Sequence, residues 1–383
     1  MKILQVGKYF PPYKGGIENN TYHCCVELAK DHEVSALVFN GGNKTIVEDM
    51  QGIPVVRVGS LGKILSQELS YNFVYYIRKF QPDIIHLHAP NPVAVISILL
   101  AAPHTPLVIT HHTDIVRQKY LKLVVLPLYR ILLERALAII LYTEQYGVTS
   151  NEVKHYKNKF KIIPHGTSEN PFIFNQKMAL QIKDIQNNLT EGAPTICFIG
   201  RHVKYKGVDN LLHAIKALPG VHALIGGEGP TLNNSKKLAY ELGIHERVHF
   251  LGELNDHNKG AVFRASDVFV LPCINRTESF GQSLVEAQLS GIPTVASDVG
   301  GITEVIQHDK TGLVIRPNNI DELVKAIKML LDNSEMRRKM GEAGYQRAKA
   351  YFVEGVTGPK LREHFNNIAY SIATKEKFAP QYT

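Results

Sequence analysis

Cysteine is scarce in this 383-residue sequence, and long apolar runs are absent. The four cysteines, Cys24, Cys25, Cys197 and Cys273, have the spacing neither of a metal site nor of a disulfide framework, which predicts reduced thiols in a cytoplasm. The longest uninterrupted apolar run, PVAVISILLAAP, is too short to cross a bilayer. The opening stretch, MKILQVGKYF, lacks the cleavage site of a secretory leader, so we expect a cytoplasmic protein.

Acidic residues are outnumbered by basic ones. The chain has 43 Lys and Arg against 35 Asp and Glu, a formal net charge of +8 and a pI near 9.1. This excess of positive charge favours an anionic partner. Nucleic acids, membrane surfaces and phosphorylated substrates are the three candidates. A lysine-rich proteome would give the same charge, so the charge alone does not decide between them.

Short runs rich in Val, Ile and Leu alternate with helical patterns, from KILQVG to KIIP and again from TICFIG to GLVI. Such alternation is typical of parallel sheets with helices on both faces. Helical candidates include residues 65–80 and 144–157. Between the two alternating parts lies a stretch without a clean strand that ends in Gly-Ala-Pro. We therefore predict an α/β fold with two doubly wound domains, residues 1–168 and 195–352, joined by a linker over 169–194.

Ligands of doubly wound sheets bind beyond the carboxyl ends of the strands. We therefore expect the chemistry in a cleft where those ends of the two sheets face each other. One candidate is Gly15-Gly16, which opens a helix after the first strand and would let backbone N–H groups approach a phosphate. An ordinary glycine-rich turn is the alternative, since the dinucleotide fingerprint G-x-G-x-x-G is absent.

Histidines gather at two predicted strand ends, HLH and THHTD. His86, His88, His111, His112 and Asp114 are side chains that bind metals. However, none of these five residues has the H-E-x-x-H spacing, and adjacent residues of a strand point to opposite faces. We expect one histidine to act in the cleft as a hydrogen-bond donor or an acid–base group, with a metal site as the open alternative.

Two glutamates in ESFGQSLVEAQLSG have seven residues between them. Glu278 follows the predicted strand DVFVLP, and the helix that begins after it offers free N–H groups to an anion. Glu286 lies in an otherwise apolar run and needs a partner, which a ribose diol with two O–H donors would provide. A capping glutamate followed by a surface glutamate is the alternative.

Positive charge for a diphosphate is present in FIGRHVKYKG, which follows the first strand of the second half. Arg201, Lys204 and Lys206 there suit such a group, whereas a solvated basic loop is the alternative. The chain has no Asp-x-Asp pair, which disfavours sugar transferases that hold a divalent metal in that way. The charge must then come from Arg201, Lys206 and helix N-termini.

Taken together and in order, GGIE, HLHAPNP, THHTDI, GRHVKYKG and ESFGQSLVEAQLSGIPTVASDVGG resemble the retaining glycosyltransferases of family 4. The last segment is similar to the E-x7-E motif of that family, and the resemblance covers essentially the whole chain. It implies the GT-B fold, with two Rossmann-like domains facing a central cleft. Residues 1–168 would bind the acceptor and 195–352 the nucleotide sugar. Residues 353–383 would form a helix that crosses back to the N-terminal domain.

The resemblance also implies roles for single residues. Glu286 would hold the ribose and Glu278 would lie against the donor sugar. The implied catalytic residues are His112, Glu278, Arg201 and Lys206. The implied donor-binding residues are Gly15, Gly16, Phe280, Gly281, Gln282 and Glu286.

The implied reaction is transfer of a hexose, with retention, from GDP-mannose or a UDP-hexose to a glycan or lipid-linked acceptor. Assembly of O-antigen, capsule or another surface polysaccharide is the expected context. We expect no metal ion, no cofactor and no nucleic-acid partner. A nucleotide-sugar isomerase or epimerase, a metal-dependent hydrolase built on the histidines, and a non-catalytic nucleotide-binding protein remain alternatives.

The segment DIVRQKYLKLVVLPLYRILLERA is basic and amphipathic. Such a helix lies on an anionic bilayer in many peripheral proteins, so we expect contact with the inner face of the cell membrane. A core-packed helix with snorkelling lysines is the alternative. The cations concerned are Arg117, Lys119, Lys122, Arg130 and Arg135.

Overall fold

The computed structural model describes residues 1–13, 15–64, 67–115 and 119–378. They form two compact units: the first comprises residues 1–166 and the chain from Gly355 onward, and the second comprises Thr167–Glu354. Each unit has a largely parallel sheet and surrounding helices. The predicted α/β class is confirmed.

The first unit is built on an eight-stranded sheet of order β10-β9-β8-β7-β1-β2-β4-β3, in which only the edge strand β3 runs antiparallel. A separate short hairpin pairs β5 with β6. The strands are β1 (Lys2–Val6), β2 (Glu33–Phe39), β3 (Ile46–Met50), β4 (Ile53–Val58), β5 (Lys63–Ile64), β6 (Gln67–Glu68), β7 (Ile84–Ala89), β8 (Leu107–His111), β9 (Ala138–Leu141) and β10 (Phe160–Ile162).

Five helices of the first unit connect these strands: α1 (Gly16–Leu28), α2 (Asn72–Phe80), α3 (Pro92–Ala101), α4 (Lys119–Arg135) and α5 (Glu144–Thr149). Helix α3 begins where its sequence predicts, because Asn91 accepts the Ala94 N–H and Pro92 stands at the first helical position. Among the described residues, no helix combines the length and the apolar character needed to cross a membrane.

The second unit is built on a six-stranded parallel sheet of order β13-β12-β11-β14-β15-β16. Its central strands are buried on both faces, which explains their continuous apolar sequences. The strands are β11 (Thr195–Ile199), β12 (His222–Gly226), β13 (Val248–Gly252), β14 (Val268–Leu271), β15 (Thr294–Ser297) and β16 (Gly312–Ile315).

Helices of the second unit begin repeatedly at an asparagine. The side chains of Asn175, Asn255, Asn319 and Asn333 each accept an N–H of the following turn. The helices are α6 (Gln176–Asn188), α7 (Val208–Lys216), α8 (Leu232–Glu241), α9 (Asp256–Arg264), α10 (Gln282–Leu289), α11 (Ile302–Val305), α12 (Ile320–Asp332) and α13 (Ser334–Tyr351). The final helix α14 (Glu354–Phe378) places Leu361 and Phe365 in the core of the first unit.

Three segments differ from the sequence-based expectation. The helix predicted over 65–80 begins only at Asn72, because the β5–β6 hairpin precedes it. The helix predicted over 144–157 ends at Thr149, and a 3-10 turn follows at Lys154–Lys159. Residues 169–194, expected as a linker, belong to the second unit, where α6 packs on α9.

Candidate functional site

The loops that follow β11, β14 and β15 pack closely at the carboxyl edge of the second sheet. Gly207 has φ of 72°, and a side chain there would collide with the carbonyl of Pro272. Gly300 has φ of 57°, and a side chain there would collide with the carbonyl of Glu278. Both positions require glycine, and this close backbone packing fixes where the side chains of these loops lie.

Glu278 forms the centre of this edge. Its Oε2 lies 2.5 Å from Lys206 Nζ, and both side chains are only 11% exposed. Its Oε1 accepts the N–H of Gly281 at 2.9 Å, just before α10 begins. Two predicted catalytic residues, Lys206 and Glu278, are thus in direct contact.

Lys206 keeps its charge in this nearly buried position. Burial, the largest single effect, lowers the pKa of its ammonium group, but the Glu278 carboxylate and smaller contributions from Cys273 and Tyr205 together outweigh burial, so the net pKa is raised. The Cys273 thiol lies 3.9 Å from Glu278 Oε2, and its pKa is raised by burial and by that carboxylate. The edge therefore holds a permanent cation and an inert thiol.

Glu286 lies inside α10 and is only 7% exposed. Its Oε1 is 3.3 Å from Lys259 Nζ, and the same Nζ is 2.9 Å from Asp256 Oδ1. Burial raises the pKa of Glu286, and Lys259 opposes that rise. The surface position considered as an alternative for Glu286 is therefore wrong.

The other predicted residues of this edge differ in accessibility. Arg201 is exposed, and within the described part of the chain it forms no ion pair. Gln282 is the first residue of α10. The Leu284 N–H already donates to the Gly281 carbonyl, whereas the other N–H groups of a helix start have no partner within the helix. Phe280 is buried, with its ring 5.7 Å from that of Phe352, so its side chain stabilises the loop.

In the first unit, Gly15 and Gly16 stand at the start of α1. Gly15 precedes the first helical residue, and a side chain there would displace the carboxylate of Glu18. The two glycines therefore leave the helix start uncovered by side chains of their own. Their predicted role toward a phosphate remains a prediction.

His112, which is expected as a cleft histidine that contacts the donor sugar, is almost fully buried. It is 3% exposed, and both ring nitrogens are hydrogen-bonded: Nε2 to His88 Nδ1 at 3.1 Å and Nδ1 to the Tyr142 hydroxyl at 2.5 Å. His88 Nε2 in turn lies 2.9 Å from Gln5 Oε1. Because burial and the neighbouring histidines lower the pKa of His112 well below its usual value, its ring is a neutral member of a buried chain.

Within the described ranges, His86, His88 and His111 belong to two small groups of possible metal ligands. Cys24, His86 and His88 form one, and His111, Asp114 and Glu152 form the other. In the second group, His111 Nε2 is 3.1 Å from Asp114 Oδ1, which also accepts the Ser150 hydroxyl. His111 Nε2 and Asp114 Oδ1 therefore already form hydrogen bonds within the fold.

Sequence reasoning did not identify Lys259, Asp256 or Tyr142 as residues of interest. Lys259 and Asp256 are three positions apart in a helical pattern, which indicates an ordinary surface ion pair. Tyr142 follows an apolar strand and has no motif around it. The only available signal for Lys259 was the need of the buried Glu286 for a counter-charge.

His202, in the loop after β11, is fully buried, and neither ring nitrogen has a hydrogen-bond partner among the described residues. Its ring packs between Phe198 and Phe250, with centroids 6.0 and 6.2 Å away. We expect His202→Leu to stabilise the protein by about 1–3 kcal/mol, because it removes buried polar atoms that lack partners. Calorimetry measures this as a higher melting temperature.

The gain in stability from His202→Leu should be larger at pH 5 than at pH 8. Burial lowers the pKa of His202. Below about pH 6.5, His202 is therefore protonated in the unfolded chain but stays neutral in the folded chain. Stability of the wild type therefore falls with acidification, and the leucine variant lacks that loss. His213→Leu, at an exposed position of α7, is the control. An unchanged or lower melting temperature for His202→Leu would contradict the account.

Two family descriptions match the sequence. Residues 181–347 match "Glycosyl transferases group 1", and residues 14–170 match "Glycosyltransferase Family 4". The first match includes Lys206, Glu278 and Glu286, and the second includes Gly15, Gly16 and His112.

Curated relatives match over most of the chain. The O-antigen chain mannosyltransferase C of Escherichia coli is 29% identical over 361 residues, which cover 92% of this chain and 94% of the relative. The D-rhamnosyltransferase WbpZ of Pseudomonas aeruginosa is 30% identical over 364 residues, 92% of each chain. A GDP-mannose-dependent phosphatidylinositol monomannoside mannosyltransferase of Mycobacterium tuberculosis is 32% identical over 179 residues, 44% of this chain and 46% of the relative.

Solved structures share the fold. Sucrose-phosphate synthase from Thermosynechococcus elongatus superposes with a TM-score of 0.80 at 19% identity, covering 97% of this chain and 99% of that chain. HepE from Anabaena, solved with UDP-glucose, superposes with a TM-score of 0.77 at 20% identity, covering 96% and 100%. At such identities the likeness concerns the fold alone.

Proposed function

This chain has the GT-B fold and belongs to the family 4 glycosyltransferases, and from that premise we propose that it transfers a hexose from a nucleotide sugar with retention. The acceptor would be a glycan or a lipid-linked saccharide of surface polysaccharide assembly. The observation that carries the proposal is the contact of Lys206 with Glu278 at the start of α10, with Glu286 buried further along that helix.

The donor diphosphate would bind at this edge. Lys206 supplies a fixed cation, Arg201 a second and exposed one, and the first turn of α10 supplies N–H groups. Negative charge grows on the diphosphate as the bond to the sugar breaks, so these groups stabilise the transition state more than the bound donor. In this proposal no metal ion or cofactor is required.

The transfer breaks the bond between the anomeric carbon and the diphosphate oxygen. The acceptor hydroxyl oxygen forms its bond to the same carbon from the same face, and its proton passes to the departing phosphate oxygen. Glu278, beside Lys206, is proposed to face the donor sugar and stabilise positive charge at that carbon. Gly15 and Gly16 remain candidate phosphate-binding residues, and His112 remains a candidate donor-sugar contact that acts as a neutral ring.

GDP-mannose is the proposed donor. Support comes from the names of two relatives, the O-antigen chain mannosyltransferase and the GDP-mannose-dependent mannosyltransferase. UDP-hexoses are the alternative donors. A nucleotide-sugar isomerase of the same fold is the alternative function, and it would convert the donor without any acceptor.

The test is a transfer assay with GDP-mannose, UDP-glucose and UDP-galactose, each with and without a synthetic polyprenyl-diphosphate saccharide. The proposal expects release of GDP that depends on the acceptor, a product with the donor's anomeric configuration by proton NMR, and activity that persists in EDTA. Conversion of GDP-mannose alone would favour the isomerase. Loss of activity in EDTA would contradict metal independence.

Membrane contact is proposed at the surface formed by α2, α3 and α4, which pack side by side and which we call the α2–α4 face. Large apolar side chains are exposed on it, among them Tyr75 at 56%, Leu100 at 60%, Leu123 at 74% and Val124 at 65%. Exposed cations accompany them, such as Arg130. Arg117 lies outside the described residues, as do the side chains of Lys119 and Lys122, and Arg135 donates to the carbonyls of Ala102 and Pro103.

This composition suits an anionic bilayer at the cytoplasmic side. We expect the protein to sediment with vesicles containing phosphatidylglycerol and to be released by salt. The double variant Leu123→Glu, Val124→Glu should sediment at least several-fold less. Leu180→Glu, on α6 at a position 65% exposed, is the control. No sedimentation of the wild type at low salt would contradict the proposal.

A further inference from the structure

Glu286 is an isolated acid in a buried stretch of α10. The neighbouring Val285 and Ala287 have no exposed surface, and Leu284 and Leu289 are also buried. A carboxylate in such surroundings is destabilised in its charged form unless a cation lies next to it. The described residues supply one cation in contact with it, Lys259 from α9.

Lys259 is held from both sides. Its Nζ lies 3.3 Å from Glu286 Oε1 and 2.9 Å from Asp256 Oδ1, one turn earlier on α9. Its side chain is 22% exposed, whereas that of Asp256 is 65% exposed. The three charges therefore form a row that runs from solvent at Asp256 to the interior at Glu286.

A ribose diol requires a particular state of Glu286. Two hydroxyl groups donate two hydrogen bonds to an ionised carboxylate, whereas a protonated carboxyl group presents an O–H of its own and accepts less well. Charge-assisted hydrogen bonds are also about twice as strong as neutral ones. Whatever keeps Glu286 ionised therefore contributes to donor affinity without touching the donor.

We propose that Lys259 is a positioning residue for the nucleotide donor, which holds the Glu286 carboxylate ionised and oriented toward the ribose diol. This inference rests on the proposed function, in which Glu286 binds the ribose. Asp256 fixes Lys259 in place. Lys206 also acts on Glu286, and its effect is weaker than that of Lys259 and Asp256.

The charges around Glu286 determine how donor affinity should change with pH in a variant that lacks Lys259. Burial and Asp256 raise the pKa of Glu286, and Lys259 and Lys206 lower it. Without Lys259 the pKa of Glu286 rises further, so the carboxyl group is protonated over a wider range of pH. Affinity for the diol is then lost as the pH falls and is regained as the pH rises.

The experiment measures the dissociation constant of GDP by calorimetry between pH 6 and pH 9. It uses the wild type, Lys259→Met, Lys259→Arg and the exposed control Lys237→Met, which lies on α8. We expect Lys259→Met to weaken binding about tenfold at pH 6, because a carboxyl group whose pKa lies about one unit above the pH is about nine-tenths protonated, and less than threefold at pH 9. Lys259→Arg should restore the wild-type profile. Lys259→Gln repeats the test should the methionine variant fold poorly.

A second ligand isolates the diol. For 2′-deoxy-GDP, which lacks one of the two hydroxyl groups, Lys259→Met should change the dissociation constant much less than for GDP. A loss that is the same at every pH, or the same for both nucleotides, would overturn the role of Lys259 and leave the proposed function intact. Absence of GDP and UDP binding by the wild type would instead overturn the proposed function.

Discussion

Glu278→Gln is expected to reduce the rate of hexose transfer by about 10²–10³-fold, the range found when one stabilising group is removed from a preorganised site. The carboxylate beside Lys206 is the proposed source of negative charge next to the anomeric carbon. Glutamine keeps the volume and an oxygen that accepts the Gly281 N–H, so the loop should keep its shape. The measurement is kcat for GDP release in the presence of acceptor.

Measured nucleotide affinity distinguishes the role of Glu278 from that of Glu286. Glu278→Gln should leave the dissociation constant of GDP within a few-fold of the wild type, whereas Glu286→Gln should mainly weaken GDP binding. Glu241→Gln, at an exposed position on α8, is the matched control and should change neither quantity. Full turnover by both site variants would contradict the assignment of the site.

Lys206→Met is expected to weaken GDP binding by about 10–100-fold, which corresponds to the loss of a charge-assisted hydrogen bond of about 1.5–3 kcal/mol. The kcat should fall as well, because the leaving diphosphate loses its fixed cation. Lys216→Met is the control, since Lys216 is exposed at the end of α7. GDP affinity equal to that of the wild type would contradict the role of Lys206.

The same variant should also lower stability, because it leaves the buried Glu278 carboxylate without its partner. The double variant Lys206→Met, Glu278→Gln removes both charges and should recover much of that loss in melting temperature. It should recover none of the activity. This comparison distinguishes the structural part of the ion pair from its proposed part in binding and transfer.

The fold was largely predictable because both sheets are parallel apart from one edge strand. Strands such as Val268–Leu271 are buried on both faces and therefore appear in the sequence as continuous apolar runs. The antiparallel edge strand Ile46–Met50 was missed, since it is mostly exposed and has no apolar alternation. The β5–β6 hairpin was missed because strands of two residues carry no pattern.

The candidate site was predictable as a set of positions but not as a set of contacts. The sequence places Lys206 and Glu278 after neighbouring parallel strands, which ensures that they lie at one edge of the sheet. It does not reveal that they form an ion pair. Nor does it reveal that His112 has both nitrogens bonded, because its partners are distant in sequence: His88 belongs to β7, and Tyr142 follows β9.

The most direct test of the central claim, that the second unit binds a nucleotide diphosphate at Lys206 and Glu286, is a thermal-shift series with GDP, GDP-mannose, UDP and UDP-glucose. A ligand that binds only the folded state raises the melting temperature by mass action. We expect the wild type to be stabilised most by GDP and GDP-mannose, and Lys206→Met and Glu286→Gln to respond far less. No shift of the wild type with any of the four ligands, or equal shifts in all three proteins, would contradict the account.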